Sequence, residues 1–239
     1  MMSDQSETPA PAPALTTAAQ DYLKVIWTAS EWSAQPMSSK VLADRLGLAP
    51  STVSEAVRRL ADQGLVDHVR YGAITLTEAG VAAAVAMVRR HRLIETFLVR
   101  ELDYGWDEVH DEAEVLEHAV SDLMIARIDA KLGYPSRDPH GDPIPCADGT
   151  LPQIEGQRLV ELGAGMRGTI TRISDEQPDL LRYFDALGIA PDVGLAVLER
   201  RDFAGTISVR VAGQDPDAPP VELGQSAAEA IWLIDLVES

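Results

Sequence analysis

The chain of 239 residues holds a single cysteine, Cys146, so no intrachain disulfide can form. A lone thiol suits a reducing compartment and points to the cytoplasm. Nucleophilic catalysis finds little support, because Cys146 lies in a Pro/Gly-rich stretch without an adjacent base. Long apolar runs are missing too, so nothing reads as a bilayer span. Basic charge is scarce: 20 Lys and Arg stand against 38 Asp and Glu, for a net charge of -18. That sum disfavours a nucleic-acid binder, but its distribution matters more. Residues 16–76 hold six acids and six bases, residues 77–135 twelve and six, and residues 136–239 eighteen and eight. The first folded segment is therefore neutral and the acidity follows it, where bound divalent cations would cancel part of the excess. Residues 1–14 are rich in Ser, Pro and Ala and have neither a basic n-region nor an apolar h-region. They read as a disordered tail rather than a signal peptide.

What is present is patterned. Residues 16–32 carry Leu23, Val25, Ile26 and Trp27 at helical spacing. A second helix is expected from Ser38-Ser39 to Leu46, stopped by Gly47, and a third from Pro50 to about residue 63. Two β-rich runs, 65–69 and 73–76, flank a turn at Tyr71-Gly72. Helix, helix, tight turn, helix, hairpin is the order of a winged helix-turn-helix, here residues 15–76; a generic small helical bundle is the plainer alternative. The third helix favours the former. Ser51, Thr52, Ser54 and Glu55 put short polar groups at its N-terminal end, where base edges are read, and Arg58 and Arg59 follow for phosphate. Lys40, Arg45, His68 and Arg70 are further backbone candidates.

Residues 77–135 read as helical, with one helix over 78–101, a second over 106–120 and a third over 121–132. The second holds His110-Asp111-Glu112-Ala113-Glu114-Val115-Leu116-Glu117-His118. At about 100° per residue, His110, Glu114, Glu117 and His118 share one arc of the helix, beside an apolar stripe of Val109, Ala113, Leu116 and Val120. Two imidazoles and two carboxylates aimed at one point form a ligand set for a divalent transition metal; a solvated acidic face is the plainer reading. His91 and Glu95, at i and i+4, repeat that one-face geometry on the preceding helix, and a surface ion pair is the alternative for each singly.

Residues 136–153 read as a linker, and residues 154–239 as an SH3-like β-barrel with strands near 158–162, 169–173, 195–200 and 206–211. One inserted helix is expected to open on a capping box at Ser174-Asp175-Glu176-Gln177 and close at Gly188. Gly163, Gly165 and Gly168 match a G-x-G-x-x-G dinucleotide fingerprint, but Thr169-Ile170-Thr171 continue as a strand where that motif needs a helix. A glycine-rich turn explains them better. The fold class is thus mainly α with small β elements.

Several segments together resemble the diphtheria toxin repressor family of metal-dependent regulators over about residues 16–237. They are Asp21-Tyr22-Leu23, the winged helix, His91-Arg92-Leu93-Ile94-Glu95, Val109 to Ala113, Glu117-His118 and Gly141-Asp142-Pro143-Ile144-Pro145, with the SH3-like (FeoA-like) tail. The resemblance implies a non-enzymatic, homodimeric repressor that binds palindromic double-stranded operator DNA when loaded with metal. It involves no membrane and no small organic substrate. It assigns a main metal site to Asp21, His91, Glu114, Glu117 and His118, and a second to Glu95 and His110 with help from the C-terminal module near Asp175. The family's iron branch has Met where this chain has Asp21 and Cys where it has Glu114. In both respects the chain resembles the manganese-responsive MntR branch, and replacing sulfur by carboxylate suits Mn²⁺. Fe²⁺ and other divalent ions remain competing activators. The implied output is repression of manganese uptake, with an iron-responsive repressor as the alternative.

Two other classes make different demands on the sequence. A carboxylate-bridged dimetal enzyme needs Glu-x-x-His on two helices, which this chain lacks. A winged-helix regulator sensing an organic ligand needs an apolar pocket rather than a polar stripe, and would bind DNA regardless of chelator.

Overall fold

Burial of Tyr22, Leu23, Ile26 and Trp27 along one face makes α1 (Thr17–Trp32) the base of the first element group. The computed structural model describes residues 15–32, 35–68, 72–153, 155–215 and 217–238. The tail assigned to 1–14 and the wing base Arg70 lie outside them. Helix α2 (Ser39–Leu46) starts where the Ser38 hydroxyl accepts from the Val41 amide at 3.2 Å. It ends at Gly47, whose φ of 63° is the left-handed turn that lets α3 (Pro50–Asp62) leave at an angle. Pro50 occupies the first turn of α3, where its missing N–H costs nothing. Val53, Val57 and Leu60 are its buried face. Strands β1 (Val66–His68) and β2 (Ile74–Leu76) pair antiparallel, with Val66 opposite Leu76. The Ile74 amide also donates to the Met37 carbonyl at 2.8 Å, tying the α1–α2 connection to the hairpin.

The chain forms two compact units, residues 1–85 and 86–239. Helix α4 (Glu78–Leu102) opens in the first. Thr77 caps it: its hydroxyl accepts from the Gly80 amide at 3.1 Å and donates to the Gly64 carbonyl at 2.7 Å. In the second unit α4 packs with α5 (Val109–Ala119) and α6 (Asp122–Lys131) around Leu93, Ile94, Leu98, Val109, Ala113, Ile125 and Ile128. Helix α5 begins at Val109, three residues later than expected, because residues 106–108 form a turn.

Residues 136–153 contain no helix or strand, yet Asp138, His140, Asp142 and Ile144 are buried. The rest is a six-stranded sheet of order β3 (Gln157–Arg158), β8 (Ile231–Glu238), β4 (Met166–Ile173), β5 (Gly194–Arg201), β6 (Thr206–Val211), β7 (Val221–Gly224). Every neighbouring pair is antiparallel, and among the described residues β3 and β7 do not pair to close it. Helices α7 (Pro178–Ala186) and α8 (Gln225–Glu229) interrupt it.

Three expectations change here. The strand read over 158–162 is only β3, followed by a 3₁₀ turn at Leu159–Glu161; Leu159 and Leu162 both bury, and a spacing of three suits that turn. Helix α7 is capped by Gln177 without a side-chain bond, so Ser174 opens no capping box. A second inserted helix, α8, and the strands flanking it were not anticipated. Gly163 and Gly165 lie in the turn that leads into β4, and Gly168 is within that strand opposite Leu195, as the β-branched residues indicated. Among the described residues no helix is long and apolar enough to cross a membrane.

Candidate metal centre

Helix α4 offers His91 and Glu95 one turn apart, and α5 offers His110, Glu114, Glu117 and His118 along one stripe. Arg90 fixes the far end of α5 against α4. Its guanidinium donates to the Glu117 carbonyl at 2.9 Å, to the Val120 carbonyl, and to Asp122 at 2.6 Å. The first two are carbonyls at the C-terminal end of α5, where a cation satisfies both unpaired acceptors and the dipole.

The side chains converge. His91 Nε2 lies 3.0 Å from Glu95 Oε1 and 3.3 Å from His110 Nδ1. His110 Nδ1 lies 3.0 Å from Asp175 Oδ2 and 3.6 Å from Glu95 Oε1. Asp175 comes from the loop after β4, and it turns towards His110 instead of capping α7. On its other edge, His91 Nδ1 is 2.6 Å from Glu117 Oε2 and 3.9 Å from Glu114 Oε1. Glu114 Oε1 is also 3.7 Å from His110 Nε2, and Glu117 Oε1 is 3.5 Å from His118 Nε2. One imidazole, His91, therefore borders two groups of donors: His91, Glu95, His110 and Asp175 in one, and His91, Glu114 and Glu117 in the other.

Burial and pairing set the charges. Burial opposes an imidazolium at His110, but hydrogen bonds to Asp175 and Glu95 outweigh it and raise its pKa to about 11. Burial would raise Glu95, yet the charge of His91 and bonds from both imidazoles hold it well below the usual carboxylate range. Asp175 is likewise lowered against burial by its bond to His110.

The donor set fits a small divalent cation. Donors about 2.1 Å from one ion stand about 3.0 Å apart at right angles and about 3.4 Å apart at tetrahedral angles. The contacts of 3.0, 3.3 and 3.0 Å fall within that spacing, and the fourth, at 3.6 Å, stands just beyond it. An ion held by His91 Nε2 would leave Nδ1–H to donate to Glu117, the carboxylate–histidine arrangement that orients metal ligands.

Two residues that sequence reasoning placed in a linker join this centre. His140 and Asp138 are buried, and with Glu95 they form a third donor group. His140 Nε2 donates to the Trp106 carbonyl at 2.7 Å, and its ring stacks on Trp106 at 5.8 Å. Its Nδ1 faces Glu95 Oε2 at 3.9 Å, and both atoms are buried without a hydrogen-bond partner. Burial opposes its charged form, but the carboxylates of Glu95, Asp175 and Asp138 raise its pKa. Asp138 itself is pushed well up by burial and by Asp142 and Glu95. Its Oδ1 accepts the amides of His140 and Asp142, both at 2.9 Å, in a tight turn that aims the imidazole. Gly141 sits in that turn at φ 91°, where a Cβ would meet the Thr171 carbonyl oxygen at 2.0 Å. The one available signal was a histidine between two aspartates in Asp138-Pro139-His140-Gly141-Asp142.

Asp21 lies half-buried on α1 in the first unit. In the same unit Lys40, Ser51, Thr52, Ser54, Glu55, Arg58 and Arg59 are all exposed. Ser54 donates to the Pro50 carbonyl at 2.9 Å, and Arg59 stands 3.8 Å from Glu55.

Residues 14–74 match the family described as iron dependent repressor, N-terminal DNA binding domain. Residues 77–146 match iron dependent repressor, metal binding and dimerisation domain, and residues 157–234 match the FeoA domain. The chain is similar to the iron-dependent repressor IdeR of Mycobacterium tuberculosis (strain ATCC 25618 / H37Rv), 35% identical over 217 residues, 86% of this chain and 93% of the relative. Among solved structures it is similar to a manganese-dependent transcriptional repressor in complex with manganese. That structure is 61% identical, with 90% of this chain and 99% of the other covered and a TM-score of 0.86. It is also similar to the manganese regulator SloR, at 32% identity, 92% and 98% coverage and a TM-score of 0.76.

Proposed function

The chain belongs to the iron-dependent, diphtheria-toxin-type repressor family, and we propose that it is a manganese-responsive repressor of manganese uptake, binding palindromic operators as a homodimer in the cytoplasm. The observation that carries this reading is the chemistry of the donors. His91, Glu95, His110, Asp175, Glu114 and Glu117 bring only nitrogen and oxygen to the centre, with His140 and Asp138 adding more of the same. Cys146, the one thiol, is exposed elsewhere. Hard oxygen donors suit Mn²⁺ over thiolate-seeking metals, though Mn²⁺ binds weakly and selection must come from geometry and availability. The likeness to a manganese-dependent repressor supports the same choice.

A bound divalent cation supplies positive charge and fixed ligand geometry. Glu95, Glu114, Glu117 and Asp175 are held together by α4, α5 and the loop after β4, and with that charge between them they no longer repel. His91 ties α4 to α5 through both ring nitrogens. Asp21, the ligand that the family resemblance adds from α1, is proposed as the link to the DNA-reading helices. Drawing it in restrains α3, and its symmetry mate in the dimer, to half-sites about one helical turn apart. A coupling of roughly 1–3 kcal/mol, or about 5- to 150-fold in operator affinity, is expected for such a device.

The test is operator binding titrated with Mn²⁺, Fe²⁺ and Zn²⁺ against chelator, alongside metal analysis of the purified protein. Equal affinity in chelator overturns the reading, and activation by Fe²⁺ at lower free concentration than Mn²⁺ replaces manganese by iron. Asp21→Ala should abolish metal-dependent binding while leaving the dimer intact; normal repression by that variant removes Asp21 from the link.

A further inference from the structure

The DNA-reading helix carries an unusual charge at its centre. Val53, Val57 and Leu60 are the buried side of α3. At about 100° per residue, the direction opposite that side is occupied by Ser51 and, one turn on, Glu55, with Arg58 and Arg59 flanking them a turn later. Glu55 is therefore the middle residue of the outward ridge, and its side chain is 58% exposed. The nearest cation, Arg59, stands 3.8 Å away on the C-terminal side with its own side chain 63% exposed. That contact is loose enough to be given up, and surface pairs of this kind hold little energy.

A carboxylate on this ridge faces two sheets of phosphate when the helix enters a major groove. It is repelled unless the floor of the groove offers a donor. Only two base groups there donate: N4–H₂ of cytosine and N6–H₂ of adenine. Adenine sets its N7 acceptor beside the donor, which repels an anion. Cytosine has no acceptor on its own major-groove edge, so a carboxylate can take its N4–H without that penalty. The neighbours of Glu55 cannot substitute for it. Ser51 and Thr52 can donate as well as accept and discriminate weakly, and the Ser54 hydroxyl already bonds the Pro50 carbonyl at 2.9 Å.

We infer that Glu55 is a specificity-determining residue that accepts from the N4 amino group of a cytosine in each operator half-site. This rests on the operator-binding reading above. Two-fold symmetry places the cytosine on opposite strands of the two half-sites, so one strand shows C in the first and G in the second. Arg58 and Arg59 then serve the phosphates on either side, independently of sequence.

Selection of binding sites from a randomised duplex pool with the full-length, Mn²⁺-loaded protein tests the assignment. The wild type should enrich a C·G pair at one symmetric position per half-site. Glu55→Gln should shift that position towards A·T, because a carboxamide matches the N6/N7 pair of adenine. Glu55→Ala should leave the position unselected while the rest of the site is unchanged. The readout is the ratio of affinities for the C and A operators, which cancels the uniform gain expected from removing a negative charge. That ratio should fall by roughly 5- to 150-fold in Glu55→Gln. If both variants select the wild-type site and merely bind all duplexes more tightly, Glu55 is a repulsive charge and the inference fails. If the loaded wild type selects no duplex, the operator-binding reading fails instead.

Discussion

Replacing Asp142 by alanine removes the carboxylate that stands between two buried guanidiniums. Its Oδ1 is 2.8 Å from Arg172 Nε on β4, and its Oδ2 is 3.4 Å from Arg92 Nη2 on α4. Arg172 and Arg92 are 1% and 4% exposed. Burial lifts the Asp142 carboxyl above its ordinary range despite both cations. Desolvation therefore outweighs pairing, and the intact network adds little net stability, as is common for buried ion pairs. Deleting one member is a different perturbation, because the remaining charges stay buried. Arg92 keeps Asp138 at 3.6 Å and the Pro143 carbonyl at 2.8 Å, and Arg172 keeps the face of Trp232 at 5.4 Å. A single broken pair is then the right measure, about 3–5 kcal/mol. Urea unfolding of the metal-free protein should show this as a lower midpoint at unchanged slope. Asp142→Asn separates charge from shape: it keeps the volume and one acceptor oxygen, and should lose an intermediate amount. If Asp142→Asn matches the wild type, the native carboxyl is uncharged. If Asp142→Ala costs less than about 1 kcal/mol, the network is not a constraint on the fold. Either result refutes the reasoning.

Four other outcomes follow from the same geometry. The metal must displace the proton that Asp175 and Glu95 hold on His110, so Mn²⁺ affinity should fall with falling pH; calorimetry in buffers of different ionisation enthalpy should show proton release. In the metal-free protein the raised His110 pKa adds stability that is full below the ordinary value of 6.5 and is lost as pH climbs towards about 11, which pH-dependent unfolding checks. Gly141→Ala should cost about 1–3 kcal/mol from the positive φ alone, and more from the collision with the Thr171 carbonyl; thermal melts and Mn²⁺ titration should both register it. Arg90→Leu should destabilise by about 2 kcal/mol, through lost bonds to the end of α5, and weaken metal binding in the same titration.

What could be read from the sequence was what repeats along one helix. His91 with Glu95, and His110 with Glu114, Glu117 and His118, are visible because i, i+4 spacing is a local property. The winged helix was visible for the same reason, through Ser38, Gly47 and Pro50 at the helix ends. His140 and Asp138 were not, since their segment has no period: their placement depends on the turn at Asp138, the left-handed Gly141 and the bond from the Ile173 amide to the His140 carbonyl at 2.9 Å. Asp175 shows the opposite hazard. Read locally, Ser174 to Gln177 was a helix start, but a partner 65 residues away claims its carboxylate. The strand read at 158–162 failed where two leucines three apart could suit a strand or a tight turn, and only the core decides between them.

The charge of -18 is the remaining difficulty for a DNA-binding chain, and the location of the acids answers it. Residues 16–76 are balanced, six against six, so the segment carrying Lys40, Arg58 and Arg59 presents no net charge of its own to the phosphates. At physiological salt, charges more than about 8 Å away are largely screened, so acids elsewhere on the surface weigh little at the reading face. The acids that matter most to the fold are those that salt cannot screen: Glu95, Glu117, Asp138 and Asp142 are buried, with Asp175 beside them. Imidazoles and guanidiniums balance them in the metal-free chain, and each divalent cation adds two further positive charges at the point of greatest crowding. The acidity that argues against DNA binding when summed over the chain thus becomes, at this one place, the reason the chain binds a cation.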